Sequence, residues 1–188
     1  MNDKKQQLLE ASIDLFAAEG FWNTPTARIA KHAGVATGTL FNYFPSKDAL
    51  IDAVYRQLKR EWRQHIVVGY PENGDVKSCL EHIWFRFIDW GVRYPARYSL
   101  MEQLRLSDTL SPATVEQQAE DIAFVLELIQ RGFVDGLFKE MTIDYFTSVV
   151  LAELDATVRY AVAGELRDMA LAKLIALSFD IFWDGVTK

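Results

Sequence analysis

An all-α chain is the fold class this sequence predicts, and three observations predict it. Apolar residues recur at spacings of three and four along nearly the whole chain, as in Leu8, Leu9, Ile13 and Phe16. Gly20, Gly34, Pro45, Pro95 and Gly136 fall between these stripes, as helix stops and starts do. Nowhere does a run of strictly alternating apolar and polar residues suggest a strand. Neither a low-complexity tract nor an internal repeat interrupts the pattern.

Taken in order, the first helix carries the Leu8–Ala17 stripe and stops at Gly20. Thr24-Pro25-Thr26 opens a second, with a threonine cap and a proline in the first turn, and Ala27, Ile29, Ala30 and Ala33 lead to a stop at Gly34. Thr37 caps a third short helix through Phe44, closed by Pro45. Ser46 caps a fourth, striped by Leu50, Val54, Leu58 and Trp62. The turn formers of Val68–Asp75 mark a boundary. Beyond it Leu80, Trp84, Phe87 and Gly91 share a helix ending near Tyr94-Pro95, and Tyr98, Met101 and Leu104 share a shorter one. Ser111-Pro112 starts a long helix through Ile122, Val125, Leu126, Ile129 and Phe133 to Gly136. Two more, about Ile143–Ala163 and Arg167–Trp183, bring the expected number to about nine.

Half of the 188 residues are hydrophobic, so a sizeable core is expected and disorder is not. The polar start and the lack of a long uncharged apolar run predict neither a signal peptide nor a membrane helix, hence a cytoplasmic protein. Cys79, the single cysteine, excludes an internal disulfide and a cysteine-based zinc cluster. It reads as a small core residue. His82 lies near it, but no third ligand stands at metal spacing, and neither metal nor cofactor is expected. The net charge of −6 divides unevenly: residues 1–66 carry a balance of +2 and residues 67–188 one of −8. A phosphate-binding first part backed by an acidic second part fits that division.

The stretch GVATGTLFNYFPSK, Gly34–Lys47, explains the first part. Two short helices joined by a glycine-containing turn make a helix-turn-helix, whose second helix enters the major groove. Gly38 and Thr39 let the backbone approach the bases, Thr39 offers a hydroxyl and a methyl, and the Asn42 amide suits the edge of adenine. Thr37 sits at the helix N-terminus, where phosphate is attracted, and Tyr43 and Lys47 are placed to hold backbone oxygens. Leu40 and Phe44 form the opposite, packing face, against Ile29, Ala30, Val35 and Phe16. Phe41 is open to both readings, a thymine methyl or packing.

These residues carry a family likeness. TARIAKHAGVATGTLFNYFPSKDAL, Thr26–Leu50, with the preceding ASIDLFAAEGF, closely resembles the helix-turn-helix of the TetR family of transcriptional regulators. That family's usual text is a threonine, a basic-Ile-Ala run, AGV, GTLY-x-YF, then lysine and an apolar residue. The resemblance implies DNA contacts from Thr26, Arg28, Thr37, Gly38, Thr39, Phe41, Asn42, Tyr43 and Lys47. It places the DNA-binding domain at 1–47, with the helix-turn-helix at about 25–44, and a ligand-binding and dimerisation domain at 48–188. Thr37 stands where many members have lysine, and Phe41 replaces the commoner tyrosine. Both make the recognition surface less dependent on charge.

In the larger domain, aromatics exceed what one helix pair buries. Trp84, Phe87, Trp90, Tyr98, Met101, Phe124 and Phe133 are therefore expected to line an apolar pocket for a small apolar or aromatic effector. Glu81, Asp89, Glu102 and Glu127 would add a preference for a cation, unless they form the solvated sides of their helices. Small and branched residues on the last two helices, Val149, Ala152, Ala156, Ala163, Ala170, Leu174, Leu177 and Ile181, suit close packing against a second copy. A two-fold dimer of this kind reads a palindromic double-stranded operator. The expected function is a ligand-responsive, homodimeric repressor; the alternative is an all-α sensor or carrier whose helix-turn-helix no longer binds DNA. No nucleophile–base pair, phosphate loop or metal cluster supports an enzyme.

Overall fold

A computed structural model describes residues 3–188, the side chains of Gln118, Ala119 and Asp121 excepted. Among the described residues ten α-helices follow one another: α1 (Asp3–Glu19), α2 (Thr26–His32), α3 (Thr37–Tyr43), α4 (Lys47–Val67), α5 (Val76–Arg93), α6 (Pro95–Arg105), α7 (Pro112–Asp121), α8 (Ala123–Val134), α9 (Ile143–Ala163) and α10 (Asp168–Val186). The expected long helix after Ser111 is two helices. Ile122, at φ −109° and ψ 10°, leaves the helical region and separates α7 from α8.

Capping follows the expected chemistry in some places and not in others. Ser46 Oγ accepts from Ala49 N at 3.0 Å, and Ser111 Oγ from Thr114 N at 3.3 Å. Thr24 and Thr37 do not cap. Pro25 and Ala36 occupy the two N-cap positions, in extended conformation, and neither bonds through a side chain. The Thr24 hydroxyl instead turns back to donate to Gly20 O at 2.9 Å, which buries it and ties down the α1–α2 connection.

The chain packs as two units. The first comprises residues up to Glu61 together with Tyr94–Glu120. Its core is the buried face of α1, where Leu8, Leu9, Ile13 and Phe16 meet α2, α3 and α6. Arg97 on α6 binds Glu10 of α1 and Glu61 of α4, at 2.6 and 2.9 Å. Asp52 of α4 accepts from Ser111 N at 3.0 Å, fixing the start of α7.

The second unit comprises Trp62–Arg93 and Asp121–Lys188. Here α5 is the central helix, packed on α8, α9 and α10, and α9 packs on α10. The last turn of α4 is held by α5 side chains: Arg86 Nε donates to His65 O and His82 Nε2 to Ile66 O, both at 2.8 Å. Those carbonyls would otherwise be left without helical partners. Cys79 is buried, as its small apolar side chain suggests, and its thiol donates to Pro71 O. Phe138 and Thr187 form an isolated antiparallel bridge that secures the C-terminus. No described helix is long and apolar enough to cross a membrane.

Candidate nucleic-acid interface

The α2–α3 pair is built by its turn. Ala33 N donates to Ile29 O, Gly34 N to Lys31 O and Val35 N to Ala30 O, closing α2 and reversing the chain. The reversal requires Gly34 at φ +68°, a backbone region that a side chain disfavours. From Ala36 the chain enters α3, whose seven residues are anchored by one apolar row. Leu40 and Phe44 are fully buried with Ile29, Ala30 and Phe16.

Anchoring that row turns the rest of α3 outward. Thr37, Gly38, Phe41 and Asn42 are exposed, and Thr39 and Tyr43 are half-buried. Phe41, open to two readings in the sequence, leaves 44 % of its surface uncovered. Gly38 is the most informative position. Its φ is not in the left-handed region, and a Cβ added there would meet nothing within 4 Å. A glycine inside a helix costs roughly 1 kcal/mol relative to alanine. Neither backbone conformation nor internal packing offsets that cost.

The flanking cations are already oriented. Arg28 is paired with Glu19 at 2.6 Å, and Lys47 Nζ donates to Trp22 O at 3.0 Å. Thr26 is half-buried at the start of α2. A groove of about 720 Å³ beside α2 is lined by Ala27, Arg28, Lys31 and His32. Lys31 and His32 of this groove are not among the residues that the sequence singles out. The available signal was their place in the last turn of α2, one helical turn beyond Arg28.

The aromatic residues expected to line a pocket fall into separate groups. Trp84 is buried, stacked on Phe182 at 4.7 Å, and its indole N–H donates to Ser178 Oγ. Phe87 meets Trp62 edge-on at 5.8 Å, and Trp90 is wholly enclosed in the same packing unit. Phe124 meets Tyr70, while Phe133 meets Phe138 and Phe146. Tyr98 and Met101 are buried in the first unit, with α6. Of the four acids, Glu81 and Glu127 are solvated. Asp89 and Glu102 are not, contrary to the solvated-side reading. Asp89 is buried with His65 and Arg93 at 2.9 Å each, and Glu102 is buried against Arg105 at 2.7 Å.

On α9, Ala152, Ala156 and Ala163 are exposed and Val149 is half-buried; on α10, Ala170, Leu177 and Ile181 are exposed and Leu174 is half-buried. They form stripes at spacings of three and four, and Tyr145 and Tyr160, both exposed, extend the α9 stripe.

Comparison with known proteins agrees with this geometry. Residues 8–54 match the family model for bacterial regulatory proteins of the tetR family. The HTH-type transcriptional regulator RutR of Escherichia coli strain K12 is 46% identical over 80 residues, which span 43% of this chain and 38% of RutR. The crystal structure of a Shewanella sp. PV-4 protein assigned to the TetR family superposes with a TM-score of 0.89 at 32% identity, covering 98% of each chain. A TetR family transcription regulator from Marinobacter aquaeolei VT8 has the same fold, with a TM-score of 0.89 at 22% identity over 100% of this chain and 97% of that one. These relatives are regulators, not enzymes. The signature over α1–α4, together with a relative aligned along its whole length, establishes that this chain belongs to the TetR family of DNA-binding transcription regulators.

Proposed function

We propose that this protein is a cytoplasmic, homodimeric repressor that reads a palindromic operator with α3 and releases it when a small effector binds the second packing unit. The observation that carries the reading is Gly38, an exposed helix glycine at which an added Cβ would meet nothing within 4 Å, on the face that also carries Thr37, Phe41 and Asn42. Base-pair edges approaching α3 supply the missing reason, because a bare backbone lets the duplex come closer. Thr39 and Asn42 then read bases. Thr37, at the start of α3, receives phosphate, as do Thr26, Arg28, Tyr43 and Lys47. Phe41 offers an apolar contact to a thymine methyl or a sugar.

We assign DNA reading to residues 1–47 and ligand response and dimerisation to 48–188. In that division α4 is the connecting element, since it begins at Lys47 and contributes residues to both packing units. The exposed stripes of α9 and α10 support a four-helix interface between two copies. Two-fold pairing would set the two α3 helices one DNA turn apart, about 34–36 Å, or a multiple of it. The effector is apolar or aromatic, and of the expected lining residues Trp84, Phe87, Trp90, Phe124 and Phe133 belong to the second packing unit, whereas Tyr98 and Met101 belong to the first.

Fluorescence anisotropy with a duplex from the region upstream of the protein's own gene tests the proposal. The expected result is salt-sensitive, sequence-specific binding of one or more dimers, weakened about 5–150-fold by an effector. Equal affinity for that duplex and a scrambled one would refute it, and would favour a sensor that no longer binds DNA.

A further inference from the structure

Two carboxylates that could have welcomed a cation in the second packing unit are already neutralised or remote. Glu127 is solvated, and both oxygens of buried Asp89 are taken, Oδ1 by Arg93 Nε and Oδ2 by His65 Nε2. Beside this cluster lies an open cleft of about 420 Å³, between the C-terminal half of α5 and the first turns of α10. Its volume falls within the range of small-molecule sites, roughly 300–1,000 Å³. Phe85, Val92, Leu171 and Ile175 give it an apolar wall, and Arg93 and Arg167 stand at its rim.

The charges of the cleft are distinguishable by their partners. Asp89 is balanced by Arg93. His65 adds no charge near neutral pH, because burial holds its imidazole below the ordinary value despite the bond to Asp89. Asp168 lies in the first turn of α10, where the helix dipole favours a carboxylate. Arg167 differs from these three. Its Nη1 donates to the neighbouring Leu166 O at 2.7 Å, and among the described residues no carboxylate lies within ion-pairing distance. An exposed guanidinium above an apolar wall is the arrangement that recognises a carboxylate attached to an apolar body.

We propose that this cleft binds a small amphipathic carboxylate, with its apolar body on Phe85, Val92, Leu171 and Ile175 and its carboxylate on Arg167. The inference rests on the ligand-responsive reading above and names the effector class. An α-helix turns by about 100° per residue. Ala172 and Ile175 therefore lie about 100° or more around the helix from every member of the Ala170–Leu174–Leu177–Ile181 stripe, and Leu171 about 60° or more, so the Ala172–Ile175 side of the cleft stays open when that stripe is covered. A carboxylate at the rim also competes with Asp89 for Arg93. Asp89 in turn holds His65, in the last turn of α4, so the occupied cleft acts on the helix that begins at Lys47.

Isothermal titration of the full-length protein without DNA tests the proposal, with 4-phenylbutyrate and its neutral counterpart 4-phenylbutanamide as probes. The expected result is a preference for the carboxylate of tenfold or more. Arg167→Gln, an exposed substitution, should abolish the preference and leave amide binding unchanged. Ala172→Trp, also at an exposed position, should fill the cleft and remove binding of both. Equal binding of the two probes, no binding of either, or a preference that survives Arg167→Gln overturns the assignment. Because no DNA is present, such a result leaves the operator reading intact, and that reading fails only in the anisotropy experiment.

Discussion

Replacing Gly38 by alanine separates a helix built for packing from one built for a duplex. The added Cβ meets nothing within 4 Å, so no clash opposes it. Alanine is favoured over glycine in a helix by about 0.8–1.0 kcal/mol, and Gly38, in the first turn of α3, should realise roughly half of that or more. For a chain of this size each kcal/mol moves the melting temperature by about 2–4 °C, so Gly38→Ala should melt about 1–4 °C higher than the wild type. Against the operator the same methyl lies where the backbone meets base edges. Displacing a base contact costs about 1–3 kcal/mol, which is roughly 5–150-fold in affinity. Differential scanning calorimetry and anisotropy on one preparation read both effects. A variant that gains stability and binds the operator unchanged would refute the groove reading of Gly38.

Three further outcomes follow. Leu177→Glu combined with Ile181→Glu charges the exposed α10 stripe and should convert a dimer into a folded monomer in analytical ultracentrifugation; a dimer that persists places the interface elsewhere. Gly132→Ala should destabilise by about 1–3 kcal/mol, because its Cβ would enter the Phe138 ring, and an unchanged melting temperature would show that the ring yields. His65 has a folded-state pKa below the ordinary 6.5, chiefly through burial, with Asp89 raising it and Arg86 and Arg93 lowering it. The unfolded chain therefore takes up the proton first, so this contribution is complete above 6.5 and is lost as pH falls through the folded value. Between pH 7.5 and 5.5 the wild type should lose more stability than His65→Gln; parallel melting profiles would contradict this.

The sequence disclosed most where one residue type has one physical use. Leu40 and Phe44 could only be core once Gly34 and Pro45 bounded α3, and both are buried. The aromatic cluster was less legible, because Trp84 and Phe124 have the same hydropathy whether they pack on Phe182 and Tyr70 or on a ligand. Periodicity also could not show that Tyr98 and Met101 belong to the packing unit of α1, since that depends on where the chain returns after Tyr94. The break at Ile122 was hidden because β-branched isoleucine is tolerated in a helix and no glycine or proline marks the bend. Asp89 and Glu102 misled for a related reason: a carboxylate four or three residues from an arginine is neutralised without any change in the sequence pattern. The cleft beside Arg167 was invisible for the same cause as the aromatics, being made by two helices far apart in the chain.

The central claim is that the outward face of α3 lies against base edges. It is tested most directly by measuring Asn42→Ala and wild type against a set of operator duplexes, each substituted at one base pair. The account predicts that the wild type discriminates at a particular position in each half-site and that Asn42→Ala loses that discrimination, by about 1–3 kcal/mol, while keeping it elsewhere. A variant that binds every duplex as the wild type does, or that weakens uniformly across all of them, would contradict it.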